Sequence, residues 1–258
     1  MTSRRALLLG GAGLLSTSLL IGCSDPVPPD TIPPDTIPPD GDGCRTPGEL
    51  VSVTHLGAAE LVYADTGNRA PVRLEPGFLG QLEAWADEWT SLSGLGALQQ
   101  VSNFGGYVDK CHSYHQVGQA FDIAGVVQAG GEVSLRYDQW GPGTAAQLRD
   151  YWRLAASLHL HFAYTLTHTF DQAHHNHVHV DNLVSHDGLS RFNPRSGTQL
   201  QLLTNACRHV FGLDVPDTQQ RDVPLRAAVR EVQQRLGLDE PLAEAAGWHG
   251  FLRGTARG

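Results

Sequence analysis

Two histidine-rich segments far apart in the chain limit its possible folds more than any other feature. The first is Ser113-Tyr114-His115-Gln116-Val117-Gly118-Gln119-Ala120-Phe121-Asp122. The second is His174-His175-Asn176-His177-Val178-His179-Val180-Asp181. Imidazole and carboxylate are ligands that zinc accepts, and a catalytic zinc keeps three protein ligands plus a water. His115 and Asp122 flank Gly118, so their side chains converge if the chain turns there and enters a strand. On that strand Asp122 faces one side while Phe121 and Ile123 face the other. In His177-Val178-His179 the two imidazoles share one strand face while Val178 packs behind. One of them then reaches the metal, and the other lies close by, placed for proton transfer. A lone His-x-His is often a loose surface site. Its combination with a distant His–Asp segment, each in strand context, points to a built site.

The rest of the folded part reads as α+β, a small antiparallel sheet carrying the zinc site with helices outside it. Glu75-Pro76 opens a helix on which Phe78, Leu82, Trp85 and Trp89 recur at helical spacing and face the core. Leu98 to Val101 reads as a strand ending in the turn Asn103-Phe104-Gly105-Gly106-Tyr107, and Phe121 to Ala124 as a second short strand. Ala145 to His161 is a helix with Leu148, Trp152, Ala155 and Leu158 along one face. Phe162 to Leu166 and His177 to Val180 read as strands. Beyond Asn193-Pro194 the pattern predicts two helices, one carrying Leu200, Leu203, Cys207 and Val210, the other Leu225, Val229, Val232 and Leu236. These form a C-terminal helical extension over 194–258, following a main domain over 44–193.

The N-terminal part has a different character. Arg4 and Arg5 precede an uncharged apolar run from Ala6 to Ile21, too short and too rich in Gly and Ser for a spanning helix, so residues 1–22 read as a secretion signal. The run ends in Leu20-Ile21-Gly22-Cys23, which looks like a lipobox, with Cys23 acylated and becoming the new N-terminus. Residues 23–43 then repeat Pro-Pro-Asp-Thr-Ile from Pro28 and again from Pro33, ending in Pro38-Pro39-Asp40. Prolines fix φ and remove donors, so this stretch is an extended spacer behind a lipid anchor. The expected location is the bacterial cell envelope, at a membrane.

The whole chain carries 18 basic and 27 acidic residues, a net charge of −9; without the two arginines of the leader it becomes −11. An exported acidic domain whose one lysine is Lys110 is a poor partner for nucleic acid. With Cys23 lipidated, Cys44, Cys111 and Cys207 allow one disulfide and leave one thiol. Cys111 lies two residues before Ser113 and Cys44 opens the folded part, which makes Cys44–Cys111 the expected pair.

The pattern Ser-x-His-x-x-Gly-x-Ala-x-Asp followed by His-x-His resembles that of the metallopeptidases grouped with lysostaphin, the D-alanyl-D-alanine peptidases and the hedgehog signalling domain. Ser113, His115, Gly118, Ala120 and Asp122 meet every fixed position of its first part. Within that group the chain is most similar to bacterial proteins with the extensin-like C-terminal domain, through Phe104-Gly105-Gly106-Tyr107, Cys111 and the segment from His174 to Asp181. The resemblance implies His115, Asp122 and His179 as zinc ligands and His177 as the proton-handling histidine. Some relatives carry a carboxylate general base where this chain has Asn176, and His174 is then the substitute base. Relatives also hold the substrate carboxylate with an arginine after the Gly-Tyr turn, where this chain offers Lys110. The implied activity is zinc-dependent cleavage of peptidoglycan stem peptides, as a carboxypeptidase or endopeptidase. The alternative is a zinc-stabilised envelope module for binding or structure that has lost catalysis. Non-haem iron oxygenases also use two histidines and a carboxylate, but with a His-x-Asp spacing absent here.

Overall fold

The computed structural model describes residues 46–182, 188–216 and 222–258. The leader, Cys23, the proline-rich spacer and Cys44 lie outside the described residues. Four short strands open the described chain: β1 (Val51–Val53), β2 (His55–Leu56), β3 (Ala59–Tyr63) and β4 (Val72–Leu74). Helix α1 (Pro76–Ser93) begins where Glu75-Pro76 predicts it. The Glu75 carboxylate accepts from the N–H groups of Gly77 and Phe78 at 3.0 and 2.8 Å, satisfying donors that the first turn leaves unpaired. Phe78, Leu82, Trp85 and Trp89 are all buried.

Next come β5 (Leu98–Gly105), β6 (Ala120–Gln128), β7 (Gly131–Ser134) and the single turn α2 (Tyr137–Trp140). Helix α3 (Ala145–His161) follows, then β8 (Tyr164–Leu166) and β9 (Val178–Asp181). Thr144 and Gln147 form a capping box that fixes the start of α3. Helices α4 (Gly197–Asn205), α5 (Val223–Arg235) and α6 (Ala245–Arg257) complete the described chain, with a π-helical turn over Ala206–Val210 continuing α4. Among the described residues no helix is long and apolar enough to cross a membrane.

The sheet differs from the expected small antiparallel one. It has seven strands in the order β2-β3-β5-β6-β9-β8, with β7 also paired to β6, and β3 and β5 run parallel. A parallel pair needs a long crossover, and the chain makes it through β4 and α1. Strands β1 and β4 form a separate antiparallel pair. Strand β5 runs on through Asn103 and Phe104 with shifts in register and ends at Gly105, inside the expected turn.

Helices α1, α3 and α6 pack together, and their apolar faces join the sheet's inner face in one core that also takes Leu200, Leu203 and Val229 from α4 and α5. Two polar clamps hold the helices. Glu88 accepts from His161 Nε2 at 2.7 Å and Arg253 Nε at 2.6 Å, joining α1, α3 and α6. Arg153 donates to the carbonyls of Ser93 and Ala256, placing a cation at the C-terminal ends of α1 and α6. Trp248 of α6 is fully buried against Phe192, and its Nε1 donates to Ser190 Oγ at 2.9 Å. Trp248→Ala is expected to lower the stability of the domain by about 3–5 kcal/mol, read from urea unfolding. A loss below 1 kcal/mol on that ~1 kcal/mol scale for minor packing defects would show that α6 is only loosely attached.

His159 is expected to make the fold acid-sensitive. It is 1% exposed, neither ring nitrogen has a hydrogen-bond partner, and burial pushes its pKa down to about 3. The folded pKa lies below the unfolded value of about 6.5. Stability is therefore whole above that value and falls as pH drops toward the folded pKa, by about 1.4 kcal/mol per pH unit. His159→Leu should flatten the acid limb of stability against pH, measured by urea midpoints. An unchanged slope would assign the acid sensitivity to other groups.

Candidate metal centre

The site is built where β6 meets β9. These strands are antiparallel, and Asp122 and His179 are direct cross-strand partners, so their side chains leave the same face within reach of each other. His115 arrives from a 3₁₀ turn over Tyr114–Val117 just before β6. Ser113 Oγ accepts from the His115 N–H at 3.2 Å, and Gly118 closes the turn at φ 70°, its N–H donating to the His115 carbonyl at 3.0 Å. A Cβ on Gly118 would lie 2.8 Å from the Glu75 nitrogen, which itself donates to the Gly118 carbonyl. Left-handed φ and lack of space both require glycine here. Ala120 is fully buried beneath the turn. Each fixed position of the first motif thus caps, turns, packs or brings an imidazole or carboxylate to the cluster.

His115, Asp122 and His179 form the one group among the described residues with the makings of a metal site. His115 Nε2 lies 3.2 Å from His179 Nδ1, His179 Nδ1 lies 3.0 Å from Asp122 Oδ1, and His115 Nε2 lies 3.4 Å from Asp122 Oδ1. Tetrahedral zinc with bonds of about 2.0–2.1 Å separates its donors by about 3.3–3.4 Å, close to this triangle. The far nitrogens are also provided for. His115 Nδ1–H donates to the Gly106 carbonyl at 2.5 Å, and His179 Nε2–H donates to Asp181 Oδ2 at 3.0 Å. These bonds fix both tautomers so that the inward nitrogens carry lone pairs. Two lone pairs and a carboxylate facing one another repel unless a cation lies between them, so the donor set fits a metal.

Without a metal, a proton serves. Burial opposes a charge on His179, but Asp122 and Asp181 outweigh it and raise its pKa to about 10. Burial likewise works against ionisation of Asp122, yet His115 and His179 hold it well below the usual carboxylate range. A metal bound here would compete with that proton for one lone pair, so its uptake would release a proton.

His177 stands beside the triangle and outside it, its Nε2 3.5 Å from Asp122 Oδ1. Its Nδ1–H donates to Asn176 Oδ1 at 2.6 Å, and its ring meets the edge of Phe104 at 5.9 Å. Burial pushes its pKa down to about 4 against the pull of Asp122, leaving it neutral at pH 7 with a lone pair on Nε2. His174 lies farther out, its ring 5.2 Å from that of His177 and 6.1 Å from that of His179. Its Nδ1 is 2.6 Å from Asp171 Oδ1. Cys111 is disulfide-bonded, while Cys207 is a buried free thiol whose pKa burial raises to about 12. Cys207 is thus excluded as its partner, and the expected partner Cys44 lies outside the described residues.

Sequence reasoning missed three partners, namely Gly106, Asp171 and Asp181. Asp181 was accessible, because His179-x-Asp181 puts both side chains on one strand face. Asp171 and Gly106 carry no such spacing signal. Two guanidinium groups stack on the aromatic rings at the end of β5: Arg73 lies 4.6 Å over the Tyr107 ring and Arg136 5.3 Å over that of Phe104. Lys110 is exposed in the stretch between Tyr107 and His115.

Comparison with known families supports the extensin-like part of the resemblance. Residues 98–190 match the model of the extensin-like protein C-terminus. No curated protein and no solved structure matches the chain. The extensin-like segment runs from the start of β5 to just past β9, so it contains all three members of the triangle together with His174 and His177. Strands β1 to β4, helix α1 and helices α4 to α6 lie outside it.

Proposed function

We propose that this chain is a zinc-dependent peptidase that cuts stem peptides of peptidoglycan, as a carboxypeptidase or endopeptidase, exported and held at a membrane by a lipid on Cys23. The observation that carries the reading is the triangle of His115, Asp122 and His179, sized for tetrahedral zinc, with a neutral histidine on its flank. The kinship with the lysostaphin and D-alanyl-D-alanine peptidase group rests on the spacing from Ser113 to Asp122 and on His177-x-His179.

Zinc held by His115 Nε2, Asp122 Oδ1 and His179 Nδ1 would supply Lewis acidity toward a peptide carbonyl and lower the pKa of a water toward ~7. The residues around it handle the proton. Asn176 takes no proton itself, but by accepting from His177 Nδ1 it aims the Nε2 lone pair across the face of Asp122. His177 Nε2 takes a proton from the attacking water and returns it to the leaving amine, work typically worth about two to four orders of magnitude in rate. Asp171 orients His174 in the same way, making a carboxylate–imidazole pair behind His177 that stands in for the carboxylate missing at position 176.

The test is incubation of the purified chain with stem peptides, with and without chelator, followed by zinc. Release of a peptide fragment or terminal residue, abolished by chelator and restored by zinc, is expected. No release by the fully zinc-loaded parent would leave the reading without support and favour the binding or structural module.

A further inference from the structure

The outer face of the sheet carries a trough of about 280 Å³ beside the metal centre. Val101, Ile123, Val126 and Val133 of β5, β6 and β7 belong to the core. Their chain neighbours Gln100, Ser102, Asp122, Val127, Glu132 and Ser134 therefore stand on the opposite face. Asp122 and the trough share that face, and contacts tie the two together. Ala124, on the trough floor, is two residues along β6 from Asp122, and Arg136, on its wall, lies 5.3 Å over the Phe104 ring. The Phe104 and His177 rings meet at 5.9 Å, and His177 Nε2 is 3.5 Å from Asp122 Oδ1.

Small residues form the floor, among them Ala64, Ser102, Ala124 and Gly125, which leaves room for a chain to lie on the sheet. The side chains of Gln100, Ser102 and Gln139 line the trough without a hydrogen-bond partner among the described residues. They offer amide and hydroxyl groups to a peptide backbone. The charges are unequal. Arg136 is already held by Asp138 at 2.9 and 2.8 Å and faces Asp65 at 3.6 Å. Arg69 is taken up by Glu60, which pairs across the sheet with Gln100. Glu132 lines the trough and has no ion pair among the described residues. An uncompensated carboxylate, with the nearby guanidinium groups already balanced, suits an ammonium group. Glu132 is the cross-strand partner of Val127, five positions along β6 from Asp122. At about 3.3 Å per residue this places it roughly 15 Å from the metal centre.

We propose that this trough seats the peptide whose carbonyl faces the metal, and that Glu132 selects peptides carrying a free amine roughly 15 Å from that carbonyl, about four or five residues of extended chain. Recognition of the amine deepens the peptidase reading and rests on it for the chemistry at the metal.

Binding is measured on the purified chain with chelator present, so that no cleavage intervenes. Two alanine pentapeptides with blocked ends carry lysine at the first or the last position, which covers both chain directions. Each is compared with a norleucine analogue of similar shape and no charge. NMR shifts of the Gln100, Val127 and Ser134 amides report occupancy. Saturable shifts are expected, with one lysine peptide binding roughly three- to fivefold more tightly than its norleucine analogue, the worth of an exposed ion pair. Glu132→Gln should erase that difference, and added salt should shrink it. The proposal is overturned if no peptide gives saturable shifts on these strands, if norleucine binds as tightly as lysine in both directions, or if the preference survives in the folded Glu132→Gln variant. A lysine preference without cleavage of stem peptides would keep the trough's role and remove the peptidase. Cleavage without the preference would do the reverse.

Discussion

His115→Ala is expected to abolish stoichiometric zinc binding while the domain stays folded. The side chain contributes one of three donors, and it enters from a turn that its neighbours hold independently, through the Ser113 cap and the Gly118 closure. The remaining pair, Asp122 and His179, still faces each other across β6 and β9, but two donors do not make a tetrahedral site. The fall in affinity should exceed the 10–100-fold that loss of an outer partner typically costs, and Asp181→Asn supplies that comparison. It keeps the shape of the buried side chain but weakens the grip on His179 Nε2. Zinc content after dialysis against a competing chelator, with circular dichroism to confirm folding, measures both. Zinc retained equally by His115→Ala and the parent would place the metal elsewhere.

His177→Ala should separate chemistry from metal holding. The side chain lies outside the triangle, so zinc should stay at one equivalent and the melting temperature should change little. If the chain is a peptidase, cleavage should drop by about 10²–10⁴-fold, the usual worth of a positioned proton carrier. The sign of any rescue is informative as well. Added imidazole restoring part of the rate would identify the missing group as a proton carrier. An equal loss of zinc and activity would make His177 a ligand, and a variant that cleaves like the parent would remove it from the mechanism.

Much of this arrangement was legible in the sequence, for reasons that differ between its parts. Helix α1 is announced by its own cap, Glu75-Pro76, and by four large residues at helical spacing. Helix α3 begins at a capping box and ends where the apolar stripe ends. Strand β6 was seen only from Phe121 to Ala124, whereas it runs to Gln128. It lies between β5 and β9 and also pairs with β7, so most of its residues are buried on both faces. The alternation that marks a half-exposed strand is erased. Helix α6 was not foreseen because Gly247, Gly250 and Gly254 argue against a helix. Packing explains them: a Cβ at Gly247 would come within 2.2 Å of the Pro241 carbonyl oxygen, and one at Gly254 within 2.4 Å of Leu236. Those glycines let the helix approach the chain that precedes it, a tertiary reason invisible to local pattern. At the site, the two histidine-bearing segments were readable from residue type and spacing, and the resemblance to a family pointed to His115, Asp122 and His179, which the fold does bring together. Gly106, the partner of His115, and Asp171, the partner of His174, were not, because a carbonyl and a turn carboxylate become partners only after the chain has folded.

The direct pairing of Asp122 with His179 has one more consequence. A slip of β9 by a single residue against β6 would turn His179 to the opposite side of the sheet and present Val178 or Val180 to Asp122. An ion held at this site would therefore tell a correctly assembled molecule from a near miss, since only the right alignment of two segments distant in the chain creates its seat. If zinc is the ion the site takes, its capture would act as an inspection step at the end of folding. Mis-registered molecules would remain metal-free and, lacking that added stabilisation, would be the ones most open to unfolding and degradation.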